Sequence, residues 1–360
     1  MSVFRSRPAL RWLIPSASAV LVIAGGAVIG TFAASAEPSL PPRSAAQLLV
    51  DLQTARLDGL SGTVVQRADL GLPGLSALAT RGSTDLTSLA SGTHTLRVWY
   101  AGPDQTRVAL LGTLGESDII RNGRDLWWWN SQTNTATHRT LPETGDAGQS
   151  RPHSLPATPQ EAADQALAAI DPSTEVTVGR SAKIAGRDAY ELVLDPRDTA
   201  SLVDQIRIAI DAREHVPLRF EIFAKGADQP AFVMAFTQVD FDRPDPAQFT
   251  FNPPPGTQVT EQEFDQPQRP DHGTDRSEAR WETTGTGWTT VLVGRNAKVV
   301  PSNGGDTAGL LNLLPKVDGA WGSGRLLSSR LFSVLLTDDG RLLVGAVTPE
   351  RLYEVAAAHR

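Results

Sequence analysis

The chain has no cysteine among its 360 residues. That excludes disulfides, thiolate zinc sites and a lipid-modified N-terminal cysteine in one step. Lys and Arg form no run beyond the extreme N-terminus, and the formal charge is −7. Nucleic-acid binders usually carry a basic face or stripe, so a nucleic-acid partner is not expected. Catalytic signatures are missing as well: there is no G-x-S-x-G elbow, no G-x-x-x-x-G-K-S/T phosphate loop and no H-E-x-x-H. Gly285-Thr286-Gly287 and Gly322-Ser323-Gly324 lack the third glycine of a dinucleotide fingerprint and read as turns. His94, His138, His153, His215, His272 and His359 are never at helical ligand spacing, so no metal set is expected. Asp338-Asp339 reads as part of a hairpin turn rather than as an acid pair. The expectation is a protein that is not an enzyme and uses no cofactor or metal.

What is present begins with the N-terminus. Arg5, Arg7 and Arg11 precede an uncharged stretch from Trp12 to Ala36. At a helical rise of about 1.5 Å, roughly 25 such residues can cross a hydrocarbon core, whereas a signal peptide has a shorter apolar region. Residues 1–36 are therefore expected to be a transmembrane signal anchor; a signal peptide cleaved after Ala34-Ser35-Ala36 is the alternative. Under both readings the basic cluster stays inside and the bulk of the chain lies outside the cytoplasm.

Beyond the prolines at 38–42, Ser44 is an N-cap candidate for a helix to about Asp58, with Ala45, Leu48, Leu49, Leu52 and Ala55 on one face. Most of the chain from there to Phe251 alternates with period two. In "DQIRIAID", Ile206, Ile208 and Ile210 oppose Gln205, Arg207 and Asp211; in "PLRFEIF", Leu218, Phe220 and Ile222 oppose Arg219 and Glu221. This is the pattern of an antiparallel sheet with one buried face. A second helix is expected at 159–170, where Thr158, Pro159 and Glu161 form its start and Ala163, Ala166, Leu167 and Ile170 its stripe. In all, about eleven strands and two helices make an α+β arrangement. Residues 258–280 read as a linker. Residues 281–360 read as a smaller α+β unit, with a short helix at 307–314, a hairpin around Asp338-Asp339-Gly340, and a last helix opened by Thr348-Pro349-Glu350.

The stretch "SDIIRNGRDLWWWNSQTNTATHRTL" at 117–141 carries large rings on both faces of one strand. Asn122-Gly123 is expected as the central pair of a hairpin turn, both at positive φ. Trp127 and Trp129 then share one face, Leu126 and Trp128 the other, so both faces need cover. Either the rings are core under a helix and a loop, or the sheet curls around an apolar hollow that one tryptophan pair lines.

The residues bear a family likeness. "PDQTRVALLGTLGESDIIRNGRDLWWWNSQTNTATHRTL" resembles the hairpin region of the lipoprotein-sorting protein LolA and its relatives, with Arg107, Gly123, Leu126, Trp127, Trp129, Asn130 and Ala136 in the matching places. "AGRDAYELVLDP", "IRIAIDAREHVPLRFEIF" and "FTQVDFDRPDPAQFTFNPPPGTQV" are similar to that superfamily's later strands. The segments "GWTTVLVGR" and "RLFSVLLTDDGRLLVGAVTPERLYEVAA" resemble the second domain of the RseB/MucB regulators, through Gly287-Trp288, Leu331-Phe332-Ser333-Val334 and Val344-Gly345.

The resemblance implies an incomplete antiparallel β-barrel over 43–257, closed by two helices, with a hollow that accepts acyl chains. The expected wall is Trp99, Val108, Leu110, Trp127, Trp129, Tyr190, Leu192, Leu194, Ile206, Ile208, Ile210, Leu218, Phe220 and Ile222. The expected lid is Leu48, Leu49, Leu52, Leu167 and Ile170. It implies lipid or lipoprotein acyl chains as partners and, in the RseB/MucB version, an anti-sigma factor. A structural envelope protein whose hollow is filled by its own side chains is the third reading. The apolar loop at 68–92, with Leu70, Leu72, Leu75 and Leu78, is expected to flap over the hollow or to lie packed on the sheet.

Overall fold

The computed structural model describes residues 38–72, 89, 91–141, 172–262, 280–295 and 314–359. The N-terminal segment, the helix expected at 159–170 with Leu167 and Ile170, nearly all of that at 307–314, and Leu75 and Leu78 of the apolar loop lie outside the described residues. Among the described residues no helix is long and apolar enough to cross a membrane.

A helix, α1 (Ala45–Thr54), opens the described chain. Ser44 caps it as expected, and Gln47 completes a capping box: the Gln47 N–H donates to Ser44 Oγ at 3.2 Å while the Ser44 N–H donates to Gln47 Oε1 at 2.9 Å. The helix stops short of Asp58. Arg56 folds back and donates to the carbonyls of Gln53, Thr54 and Ala55, supplying partners the last turn lacks.

Strands follow: β1 (Leu60–Ala68), β2 (Gly92–Tyr100), β3 (Gln105–Leu111), β4 (Glu116–Asn122), β5 (Asp125–Asn130), β6 (Thr135–Thr140), β7 (Thr174–Val178), β8 (Ala182–Ile184), β9 (Arg187–Pro196), β10 (Val203–Asp211), β11 (Pro217–Ala224), β12 (Pro230–Asp240) and β13 (Gln258–Gln262). They form one 13-stranded sheet, ordered β13-β6-β5-β4-β3-β2-β1-β12-β11-β10-β9-β7, with β8 also on β9. Among the described residues every pairing in it is antiparallel except β13 with β6. The sheet is larger than the eleven strands expected, and among the described residues it is open: β13 and β7 are its edges, so the path does not close into a barrel. At one end it bends far enough for β8 to come alongside β12, and the Arg187 guanidinium sits 4.6 Å over the Phe241 ring.

Two local expectations are corrected. The hairpin between β4 and β5 exists, but Asn122 pairs with Asp125, so the central pair is Gly123-Arg124. Only Gly123 is at positive φ, 63°, because glycine at the first central position suffices for the mirror-image turn of this kind. Residues 258–262, expected in a linker, form the edge strand β13. "QVTEQ" has no apolar period; the strand is held by its main-chain pairing with β6 and by side-chain contacts described below.

The remaining strands are β14 (Arg280–Thr284), β15 (Val291–Arg295), β16 (Lys316–Gly319), β17 (Gly322–Ser328), β18 (Ser333–Thr337) and β19 (Arg341–Gly345), followed by α2 (Pro349–Ala358). They build a second, six-stranded sheet, ordered β14-β15-β19-β18-β17-β16. The hairpin at Asp338-Asp339-Gly340 and the helix after Thr348 stand where the sequence puts them. Leu352, Val355 and Ala356 of α2 pack on Val291, Val293, Leu335 and Leu343. Arg341 is buried here; it pairs with Asp339 and donates to the carbonyl oxygens of Ala356, His359 and Trp321, closing the end of α2.

The two sheets are joined by main chain. Ser201 and Val347 form an antiparallel bridge; the Leu202 N–H donates to the Ala346 carbonyl at 2.9 Å and the Thr348 N–H to that of Ala200 at 3.0 Å. Trp288 Nε1–H donates to Thr174 Oγ1 at 2.7 Å, and Arg330 pairs with Asp69 at 2.6 Å.

Candidate functional site

Side chains alternate between faces along a strand, and residues paired across strands share a face. Carrying this rule across the unbroken registers from β5 to β1, then through β12 to β9, sorts the expected wall residues. One face holds Val108, Leu110, Tyr190, Leu192, Leu194, Ile206, Ile208, Phe220 and Ile222, together with Val64, Leu96, Val98, Met234 and Phe236. Trp99, Trp127 and Trp129 stand on the opposite face, with Arg107, Asp118, Arg219 and Glu221. The three tryptophans and the isoleucine set therefore do not line one hollow. On the apolar face β5 contributes Leu126 and Trp128 instead.

The apolar face is filled where α1 lies on it. Leu48, fully buried, and Leu49 pack with Tyr190, Leu192, Ile206, Ile208 and Ile210; Leu52, Phe220 and Ile222 are half-buried against the same cluster. Leu70 of the apolar loop joins it, which fits a packed loop at that residue. The second unit joins it too, through Leu331, Trp288, Phe332 and Ala346. A second cluster gathers Leu60, Val64, Val98, Leu218, Met234 and Phe236 with Ile184, Ala189 and Ala209 at the bent end. Glycine serves close packing here: a Cβ on Gly62 would stand 2.8 Å from the Phe236 ring.

Farther along the same face the filling thins. Leu110 is fully buried, but Val108, Ile119, Leu126 and Trp128 on β3 to β5 are only half-buried. Arg139 reaches over Trp128, its guanidinium carbon 5.9 Å from the ring. Ile119, Leu126 and Trp128 were absent from the expected wall. Their parity relative to Val108 would have found them, had the registers between hairpins been known.

The opposite face answers why the strand of tryptophans has rings on both sides. The segment after β12 crosses it: a short 3-10 turn, Pro246–Phe249, buries Phe249, and Phe251 sits 5.2 Å from Trp127 and 5.6 Å from Trp129. Trp99 lies between Arg97 and Arg107, each 5.1 Å from the ring. Arg107 pairs with the buried Asp118 and also donates to the Gln248 carbonyl, tying the crossing segment down. Burial pushes the Asp118 carboxyl up to about 6, against the lowering pull of Arg107 and with a further push from Glu116. His138 bridges Asp125 at 3.0 Å and Glu261 of β13 at 2.7 Å. Burial lowers its pKa, but hydrogen bonds and attraction from the two carboxylates outweigh that and raise it. Arg139 to Gln262 at 2.9 Å and Thr257 to Asn134 at 2.7 Å complete the attachment of β13. Among the described residues no group of His, Asp and Glu is placed to hold a metal ion.

No family model and no curated protein matches the chain. Solved structures do resemble it. The MucA/MucB complex of Pseudomonas aeruginosa aligns over 87% of this chain and 96% of that chain, at 15% identity and a TM-score of 0.44. An uncharacterized conserved protein of Thermus thermophilus aligns over 60% and 98%, at 13% and 0.35. A LolA superfamily protein of Nitrosomonas europaea aligns over 58% and 99%, at 14% and 0.22. MucB and LolA-superfamily proteins are thus among the structures the chain is similar to, the same group that its residues resemble.

Proposed function

We propose that the chain is a non-enzymatic, membrane-anchored extracytoplasmic protein that binds lipid or lipoprotein acyl chains on the apolar face of its large sheet. One observation carries this reading: that face is close-packed under α1, yet Val108, Ile119, Leu126 and Trp128 stay half-buried in its continuation. A guest chain laid there would bury them, at about 0.8 kcal/mol per methylene, without polar recognition. The open edges and the bend that brings β8 to β12 suit an incomplete barrel around such a guest. The test is native mass spectrometry of the full chain released from membranes, followed by lipid extraction. Co-purified acyl lipid is expected; a chain that is lipid-free and takes up no fluorescent fatty acid would refute the proposal and leave a structural envelope protein.

A second reading rests on Leu331, Trp288, Phe332 and Ala346 sharing a cluster with α1. A guest that shifts α1 would be felt by the second unit, as a sensor requires. The RseB/MucB likeness of the sequence makes an anti-sigma factor the partner. Capture of that partner by the chain, changed by lipid and lost without residues 281–360, supports the sensor; capture indifferent to lipid does not.

A further inference from the structure

We infer that a recess beside the α1 cluster binds an acidic head group, phosphate or carboxylate; as a lipid site it rests on the acyl-chain reading above. The recess has a volume of about 420 Å³, which is the size range of small-molecule sites. Leu40 and Tyr190 line it and also belong to the apolar cluster, so its floor is continuous with the greasy face. Arg43, Arg187 and Arg213 line it, beside Asp188 and Asp211.

Asp211 is fully occupied and Asp188 is engaged through one oxygen. Asp211 accepts two hydrogen bonds from the Arg187 side chain and two more from the backbone N–H groups of Arg213 and Glu214. Asp188 accepts from Lys183 at 3.1 Å. Arg43 spends one amino group on Asp51, at 2.5 Å, which leaves the rest of its fork. The Arg213 side chain is exposed and has no partner among the described residues. Against the one remaining oxygen of Asp188 stand the free amino groups of Arg43 and the whole fork of Arg213, so donors outnumber acceptors, and the ligand they fit is an acceptor with two or three oxygens, which arginine forks grip in pairs.

The experiment compares fluorescent lysophosphatidate, a monoacylglycerol of the same chain length and inorganic phosphate, each titrated onto the full chain in neutral nanodiscs. Arg213→Gln is the variant, because its side chain supports nothing in the fold, and Lys316→Gln on the second sheet controls for net charge. Lysophosphatidate is expected to bind at least fivefold more tightly than the monoacylglycerol, with Arg213→Gln removing that preference and Lys316→Gln keeping it. Equal binding of both lipids, unchanged by Arg213→Gln, overturns the head-group site while sparing the acyl-chain reading. Arg213-dependent binding of inorganic phosphate with neither lipid bound overturns the lipid assignment and leaves a free-anion site.

Discussion

The indole of Trp127 stacks on the imidazole of His138, with ring centroids 4.2 Å apart and planes 17° from parallel. The same imidazole reaches Asp125 on one side and Glu261 on the other, so one ring joins β5, β6 and β13. Because its folded pKa is raised, the imidazolium contributes stability that is fully present below the unfolded value of about 6.5 and lost as pH rises through the folded value. The stability difference between the native chain and His138→Gln should shrink as pH rises across that window. Thermal unfolding of both proteins from pH 5.5 upward checks it; a difference that does not change with pH would contradict it.

Asp118 gives a second, more acidic window. Its carboxyl titrates at about 6 when folded and near 3.8 when free, so folding favours the protonated form. The native chain should lose stability relative to Asp118→Asn as pH rises from 3.8 to about 6, with no further change above. Urea midpoints at intervals across that range would show it.

Neighbouring tryptophans should behave differently. Trp127 is held by His138 and Phe251, so Trp127→Ala should cost about 2 kcal/mol of stability, below the usual range for a fully buried ring, and leave lipid uptake intact. Trp128 faces the proposed guest, so Trp128→Ala should weaken acyl binding about tenfold, equivalent to roughly 1.4 kcal/mol, with a smaller loss of stability. Denaturation and fatty-acid titration on the same samples separate the two; a reversed pattern would place the guest on the other face.

On α1, Leu48→Ala should cost about 2–5 kcal/mol, since the side chain is fully buried under the sheet. Ser44→Ala should cost only about 1 kcal/mol through the lost capping box. Chemical denaturation measures both, and similar costs would mean that α1 is not pinned to Tyr190 and the isoleucines.

In the second unit, Arg341→Leu should destabilise by about 2 kcal/mol or more, because it strands the buried carbonyls of Ala356 and Trp321. Hydrogen exchange at the end of α2 would report the loss first, and unchanged protection there would remove Arg341 as the helix's closing partner.

Much of this architecture was legible in the residues. Alternation in β9, β10 and β11, the Ser44 cap and the Pro349 helix start are local signals, and each stands where expected. The relation between faces was not legible. A tryptophan's parity within β5 is local, but its parity relative to Ile206 depends on every register between them, including a bulge at Thr63/Val64. A one-residue error anywhere in that series would reverse the answer. Cover for Trp127 and Trp129 comes from Phe251, more than a hundred residues away, and no nearby pattern announces it. The strand at 258–262 has no apolar alternation to announce it, because it is held by main-chain pairing with β6 and by polar contacts to His138 and Arg139.

That late strand bears on how the chain is made. The outer margin of β6 is sealed by a segment that leaves the ribosome only after some 120 further residues have emerged. Until then the hairpin of β5 and β6 presents unsatisfied backbone groups beside aromatic rings, a template for joining another nascent copy. The early chain is accordingly the stage at which assistance from a chaperone matters most, and shortening the protein before Thr257 would make that exposure permanent.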